Sequence, residues 1–522
     1  MGATDWWVVG TYLSAMLALA AWLGRRNHSR GDYYLAGGDL PPAALATSIL
    51  ATQCSTNSLL GAPAFVGFSI AGGLIWLQYE LAVPLAMLAL TLLFPAIHRS
   101  GVISVYAFLE QRLGREVRLT ASACFLFFRG VATGVTVYGV ASVLALITGL
   151  DYVWAVLLFM GVTIAYDVMG GMRAVVISDV VQMLLLVCAV AVALVALWPL
   201  LVDYSTALAP RRETVLLDWG VTGSGDFGLW PMLCGGFFLY VAYYGCDQSQ
   251  AQRLLAARDE GALNRILLLN GVLRFPLVLA YCLLGLGLAA YAMEHADFLP
   301  SLPRTDGGNP NVNLAFPVYV LREFAPGLAG LAIVGLFAAA MSSVDSALNS
   351  LSAATVEDYL PVGSQEHPVR LSRLITFGWG TFAVLFSFTV EHIADTILEA
   401  INKIGSVANG PLLALFLIAI LRPGLSASAV LVGFAAGLGV NLGLWLGAPA
   451  VSWLWWNPAG CLAAIAGTLM FNALRTMHPT PAPTTMPVPF AADTPLTSKR
   501  AGVQITLLIA FIAMALVLLL IR

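Results

Sequence analysis

Ala51-Thr-Gln-Cys-Ser-Thr-Asn-Ser58, followed by Gly61-Ala-Pro63, lies inside an apolar stretch from 43 to 70 that is long enough to cross a membrane. A polar run and then a Gly/Pro interruption at that depth decide how the chain is read. In hydrocarbon an unpaired backbone group costs several kcal/mol, so such an interruption survives only where it lines a cavity or is covered by protein. A helix broken there offers free carbonyls to a cation and free N–H groups to an anion. The plainer alternative is a proline kink re-satisfied by the neighbouring Ser and Thr side chains.

The rest of the chain is of the same kind. Of its 522 residues 59% are hydrophobic and only 10% charged, the net charge is -3, and the mean hydropathy is +0.86. A water-soluble surface needs about 25% Asp, Glu, Lys and Arg. The protein is therefore expected to be integral to a lipid bilayer, which excludes a soluble enzyme, a disordered scaffold and a nucleic-acid binder. The apolar runs lack the alternation of a membrane barrel. Lys403 and Lys499 are the only lysines and neither precedes Ser or Thr, so no phosphate-binding loop, and no ATP, is expected to drive it. Its seven cysteines are scattered singly, with neither metal-ligand spacing nor a disulfide framework.

Runs of membrane length predict helices near 6–24, 43–70, 74–97, 119–148, 152–170, 174–201, 229–248, 262–293, 326–357, 370–390, 395–421, 425–446, 452–474 and 502–521, fourteen spans in all. The first is not a cleaved signal peptide on this reading, because Arg25, Arg26 and Arg30 follow it rather than precede it. With the N-terminus outside, only Arg211, Arg212, Arg304, Arg322 and Arg522 fall in outside segments, and most other basic residues, Arg253 among them, fall in inside segments. Both termini are then extracytoplasmic, in a plasma membrane or, for a bacterium, an inner membrane. The chain divides into a first transmembrane helix with its cytoplasmic loop (1–41), a five-helix repeat (42–201), an extracellular loop (202–228) and a second five-helix repeat (229–421). Two peripheral helices (422–474), a Pro/Thr-rich linker (475–500) and a C-terminal transmembrane helix (501–522) follow.

The seventh span carries a comparable weak point at Gly235-Gly236, then Tyr240, Tyr243 and Tyr244 before Asp247-Gln-Ser-Gln-Ala-Gln-Arg253. Two interrupted helices opening two successive groups of five point to an inverted repeat with a transport site between its halves. An interfacial aromatic belt is the other reading of the tyrosines. In Ala338-Ala-Ala-Met-Ser-Ser-Val-Asp-Ser-Ala-Leu-Asn-Ser350, the residues Ser342, Asp345, Ser346, Asn349 and Ser350 form one polar stripe on an apolar helix. An Asp at mid-helix costs about 2.5 to 3.5 kcal/mol on insertion scales, so Asp345 needs a cation, a proton or a basic partner. Hydroxyl and carbonyl oxygens with one carboxylate suit a small alkali cation. Asp179 is a second buried carboxylate, or else a helix-start acid favoured by the macrodipole. Glu80, Arg129 and Arg274 are the other ionisable groups within spans, read either as a structural Glu–Arg pair or as substrate contacts.

At these residues the chain resembles the sodium/solute symporter family, whose members carry glucose, proline, monocarboxylates or sialic acid with sodium. The likeness covers nearly the whole chain: Asp32-Tyr-Tyr-Leu-Ala-Gly-Gly38, the break at 51–63, Tyr166-Asp-Val-Met-Gly-Gly-Met-Arg-Ala174, Ser178-Asp-Val-Val-Gln182, Asp247-Gln-Ser-Gln-Ala-Gln-Arg-Leu-Leu-Ala-Ala257 and Gly335-Leu-Phe-Ala-Ala-Ala-Met-Ser-Ser343. It implies an all-α polytopic membrane protein of about fourteen helices around a LeuT-like inverted five-plus-five core. The resemblance further implies a principal sodium site from the carbonyls of Ala51, Cys54 and Ala339 and the hydroxyls of Ser342 and Ser343. A second cation or proton site would use Asp179, Ser342, Asp345 and Ser346. Substrate positions would be Ser55, Ser58, Glu80, Tyr240, Tyr243 and Arg274, with Tyr243 as an inner gate. Ser58 and Ile401 replace the amides of glucose-type members, Gly38 replaces a common arginine, and Asp167 stands where the family pattern has a small residue.

The expectation is a secondary symporter, not an enzyme, that imports a small organic solute with Na+ as co-transported ion and with no organic cofactor. A carboxylate-bearing solute is favoured over a glucose-type sugar because a guanidinium such as Arg274 clamps a carboxylate in two places. Proton coupling through Asp345 and Asp179 is the nearest alternative, and a channel or facilitator and a solute sensor stand further off.

Overall fold

In lipid every backbone N–H must find a carbonyl within its own segment, so apolar runs of this length fold as helices. A computed structural model of the protein describes residues 2–521 except 55, 71, 223–226, 305–307, 361–368, 391–396 and 476–497, and gives the backbone alone at 56, 57, 397–404, 498 and 499. The helices in chain order are α1 (Ala3–Leu23), α2 (Arg30–Leu35), α3 (Pro42–Gln53), α4 (Thr56–Phe68), α5 (Ala82–His98), α6 (Val105–Leu113), α7 (Arg115–Thr148) and α8 (Tyr152–Asp203). After a loop come α9 (Gly236–Cys246), α10 (Gln248–Leu255), α11 (Glu260–Glu294), α12 (Phe298–Ser301), α13 (Ala315–Glu323), α14 (Leu328–Tyr359), α15 (Val369–Ser387), α16 (Ile397–Leu421), α17 (Ala427–Gly447), α18 (Trp456–Arg475) and α19 (Ser498–Ile521). The linker expected at 475–500 falls almost wholly outside the described residues.

Among the described residues ten helices are long and apolar enough to cross a membrane, not the fourteen expected. The helices expected at 152–170 and 174–201 run on as the single element α8, bent at Gly171, and three other spans are represented by the shorter apolar helices Ser58–Phe68, Pro231–Cys246 and Gly405–Leu421. Gly171 has φ 62° and ψ -169°, a backbone state only glycine adopts readily, and a Cβ there would stand 2.8 Å from the Tyr33 ring. The bend lets Tyr33, on α2, sit against α8 and reach the Asp167 carbonyl with its hydroxyl at 3.3 Å.

The first expected interruption is present; the one expected at Gly235-Gly236 is not. Between α3 and α4 the chain leaves helical geometry at Cys54 (φ -79°, ψ 55°). In the seventh span, Gly235-Gly236 continues as helix through a π-turn at Pro231–Gly235, and the chain breaks instead at Asp247 (φ -80°, ψ 119°). The two glycines are there for close approach: a Cβ would come within 2.4 Å of the Leu454 carbonyl at Gly235 and 2.8 Å of the Tyr79 ring at Gly236. Asp247 breaks the helix because its carboxylate accepts the Ser249 N–H at 2.8 Å and starts α10 afresh.

α14 is the central post, buried along nearly its whole length against α8, α7 and α3. α1 packs along α8 and α14, and Asp5 ties them, accepting the Gly327 and Gly330 N–H groups at the start of α14 at 2.7 and 2.8 Å. α17 and α18 pack on each other and on α16, while α19 lies outside against α5 and α11 with most of its surface exposed.

Candidate cation sites and central cavity

Where α3 stops at Cys54, the carbonyls of its last turn lose their helical partners. α14 crosses there and supplies donors. The Ser342 hydroxyl donates to the Ala51 carbonyl at 3.1 Å and to Ala339 at 3.2 Å, and the Ser343 hydroxyl donates to Thr52 at 3.0 Å and Ala339 at 3.2 Å. Ala51, Cys54, Ala339, Ser342 and Ser343 are all buried. Oxygens 3.0 to 3.2 Å apart are spaced as neighbours in the shell of a small hard cation. Thr52 joins them, unforeseen, through its backbone carbonyl; only the break, which frees that group, could have pointed to it.

One turn along the α14 stripe stands the second set. Asp179, Asp345 and Ser346 are buried, and the structure brings them together with Ser48 of α3 and Arg253 of α10. Ser48 donates to Asp179, Arg253 Nε donates to the Ser48 hydroxyl at 2.6 Å, and Arg253 Nη2 donates to Ser346 and lies 3.4 Å from Asp179 Oδ2. Asp345 Oδ1 accepts the Ser346 N–H, while Asp345 Oδ2 and Asp179 Oδ1 are buried without a hydrogen-bond donor. Arg253 corrects the sequence reading, which counted it among cytoplasmic-loop charges: its side chain is 1% exposed. All of α10 is buried despite its polarity, because its side chains bond outward on every face, Gln248 to Ile103 and Val105, Gln252 to Tyr34 and Asn349.

Beside the α3–α4 break opens a cavity of about 280 Å³, lined by Gln53, Ser58, Tyr79, Phe128, Arg129, Tyr240, Tyr243, Asp247, Arg274, Ser343, Asn409 and Trp453 among others. Ser58, Tyr240, Tyr243 and Arg274 are thus brought together on its wall. Ser55 lies outside the described residues, as does the Ile401 side chain. Glu80 and Arg274 form the structural pair: Nε to Oε2 is 2.6 Å and Nη2 to Oε1 is 3.4 Å, with the Tyr240 hydroxyl 3.0 Å from Nη2 and the guanidinium 4.9 Å over the Tyr240 ring. Glu80 stands behind Arg274, fully buried, and neutralises it. The second arginine of the cavity, Arg129, lies 3.8 Å from Asp247 and hydrogen-bonds Tyr243, with its Nε buried without an acceptor. Tyr243 accepts from Gln250 of α10 at 3.2 Å, which links the cavity wall to that helix. Phe65, Trp76 and Phe227 cluster at ring separations of 4.7 to 6.1 Å, Trp76 also lining the cavity, and Tyr79 packs on Tyr240 at 4.9 Å.

The chain is similar to known proteins. The profile of the sodium:solute symporter family matches residues 33–437. The human sodium/iodide cotransporter is 28% identical over 466 residues, covering 86% of this chain and 70% of its own. The sodium/sialic acid symporter NanT of Aliivibrio fischeri is 26% identical over 455 residues, 84% of this chain and 87% of its own. A solved structure of a sodium-coupled sialic acid symporter in a substrate-bound, outward-open state superposes with a TM-score of 0.81 at 23% identity, over 92% of this chain and 99% of that one, which shows a shared LeuT-like fold.

Proposed function

The chain belongs to the sodium:solute symporter family, whose activity is sodium-coupled symport of a small solute across a membrane, and on that premise we propose that it imports a small organic, carboxylate-bearing solute. One observation carries the coupling: the Ser342 and Ser343 hydroxyls of α14 converge on the freed carbonyls of Ala51 and Thr52, and Ser343 also lines the central cavity. A cation there joins α3 to α14 and holds the cavity wall in place, so sodium raises solute affinity and solute raises sodium affinity equally. Each sodium driven by a ~100 mV potential supplies about 2.3 kcal/mol, roughly fifty-fold accumulation before its own gradient is added. With both termini extracytoplasmic, the Phe65–Trp76–Phe227 cluster closes the outer side and Tyr243 with α10 the inner one.

The solute class rests on the cavity's arginines and on the relative named for sialic acid. Glu80 already engages Arg274, which leaves Arg129 as the cation with more room for a second carboxylate. A proton-coupled reading is favoured by the donor-free oxygens of Asp345 and Asp179. Uptake of labelled monocarboxylates, sialic acid and sugars into proteoliposomes, with sodium or choline outside, separates these readings. Sodium-dependent uptake of an acid is expected; uptake that persists in choline and follows a pH gradient overturns sodium coupling, and uptake of sugars alone overturns the carboxylate class.

A further inference from the structure

We propose that Arg253 determines how tightly sodium flux is coupled, by plugging the route along which sodium leaves its site. The inference rests on the sodium reading and the orientation above. A continuous chain of buried oxygens runs down from the principal site. Ser343 bonds the Thr52 carbonyl, the Thr52 hydroxyl lies 2.9 Å from the Ser346 hydroxyl, Ser346 also donates to the Ser342 carbonyl at 2.6 Å, and Ser346 accepts from Arg253. Ser342, Ser343 and Ser346 lie within one turn of α14, with Thr52 of α3 and Arg253 of α10 facing them, so they form steps of a path rather than scattered contacts. At the next step two buried carboxylate oxygens, Asp345 Oδ2 and Asp179 Oδ1, have no donor and suit a cation in transit.

The guanidinium stands beside that step, on Asp179 Oδ2 and Ser346. Arg253 holds Asp179, Ser48, Ser346 and the Ser249 carbonyl at once, from a side chain 1% exposed. A second cation on Asp179 and Ser346 in so dry a place is opposed by strong like-charge repulsion, and Asp179 Oδ2 and the Ser346 hydroxyl are already engaged by Arg253. Sodium therefore passes only when Arg253 withdraws. Arg253 can withdraw only with α10, which is continuous with the Tyr243 wall of the cavity through the Asp247 break. Sodium release is thus tied to the same movement that opens the solute cavity, and Arg253 acts as a positioning residue that suppresses sodium leak.

The test uses the full chain in liposomes with ²²Na⁺ as the probe and no solute. With sodium on both sides, Arg253→Gln is expected to exchange ²²Na⁺ about tenfold faster than wild type or more, the loss of a charge-assisted hydrogen-bond set. Arg253→Lys keeps the charge and is expected to stay close to wild type. Ser48→Ala, which removes one hydrogen bond to the guanidinium and the one that Ser48 donates to Asp179, is expected to leak about threefold. Adding Ser342→Ala to Arg253→Gln returns the leak toward wild type if it runs through the principal site. Wild-type exchange rates in both Arg253→Gln and Ser48→Ala, with ²²Na⁺ binding in detergent retained, overturn the plug. Absence of ²²Na⁺ binding to the wild-type protein overturns the sodium reading beneath it.

Discussion

Replacing Ser343 by alanine removes a hydroxyl whose two states can be compared. In a cation's shell it is worth about 1.5–3 kcal/mol, the range of a hydrogen bond to a charged group. Without the cation it already donates to Thr52 at 3.0 Å and Ala339 at 3.2 Å, a neutral arrangement worth about 1 kcal/mol. Alanine loses both, so the sodium-linked part is the difference, about 0.5–2 kcal/mol, or roughly 2- to 30-fold in half-saturating sodium. Ser342→Ala is expected to fall in the same range, since its hydroxyl has the same pair of acceptor types, Ala51 across and Ala339 on its own helix. The two variants share the Ala339 carbonyl, so their effects should combine less than additively. The assay is sodium-dependent thermal stabilisation of the purified protein, with choline holding ionic strength constant. Ser350→Ala is the control: it is buried on the same helix and donates only to Ala347, and its sodium dependence should stay within about twofold. Unchanged sodium dependence in both Ser342→Ala and Ser343→Ala would refute the assignment, as would an equal shift in Ser350→Ala.

Three further outcomes follow from the packing. Glu80→Gln strands a buried guanidinium and should cost about 3–5 kcal/mol in thermal unfolding, and adding Arg274→Gln should recover part of it; a double variant no more stable than the single one would show that the pair is not what holds α11 to the segment before α5. Gly171→Ala should destabilise by at least about 2 kcal/mol, through its positive φ and the Tyr33 ring, whereas Gly161→Ala on the same element meets open space and should be neutral or stabilising by up to about 1 kcal/mol. Asp5→Ala should lower stability by about 1–2 kcal/mol by leaving the start of α14 uncapped, and an unaltered melting temperature would show that those N–H groups find another acceptor.

Particular residues show how far local reading reaches. The break at Cys54 was visible because polar residues and a proline at membrane depth are costly wherever they occur, and the α14 stripe because serines and an aspartate recur at helical spacing. The second break was misplaced by eleven residues' worth of helix, since Gly235-Gly236 reads the same whether glycine relieves a turn or admits a neighbour. Arg253 was misread because a run of Gln, Ser and Arg is locally indistinguishable from a solvated loop, and what buries it comes from α2, α3, α6, α8 and α14. Thr52 carries no signal in the sequence because its contribution is a backbone carbonyl, which every residue has.

By itself, then, the sequence determined that the chain lives in a membrane, where its helices are interrupted and which few ionisable groups remain at depth. Those are consequences of transfer free energy and helical period, which act residue by residue. Only the tertiary structure decided which acid meets which base: Glu80 faces Arg274 across 194 positions, and Arg253 meets Asp179 across 74. Coulomb attraction and hydrogen bonding fall off over a few ångströms in space, not along the chain, so the pairing that turns a scarce charge into a lock or a path exists only once the helices have packed.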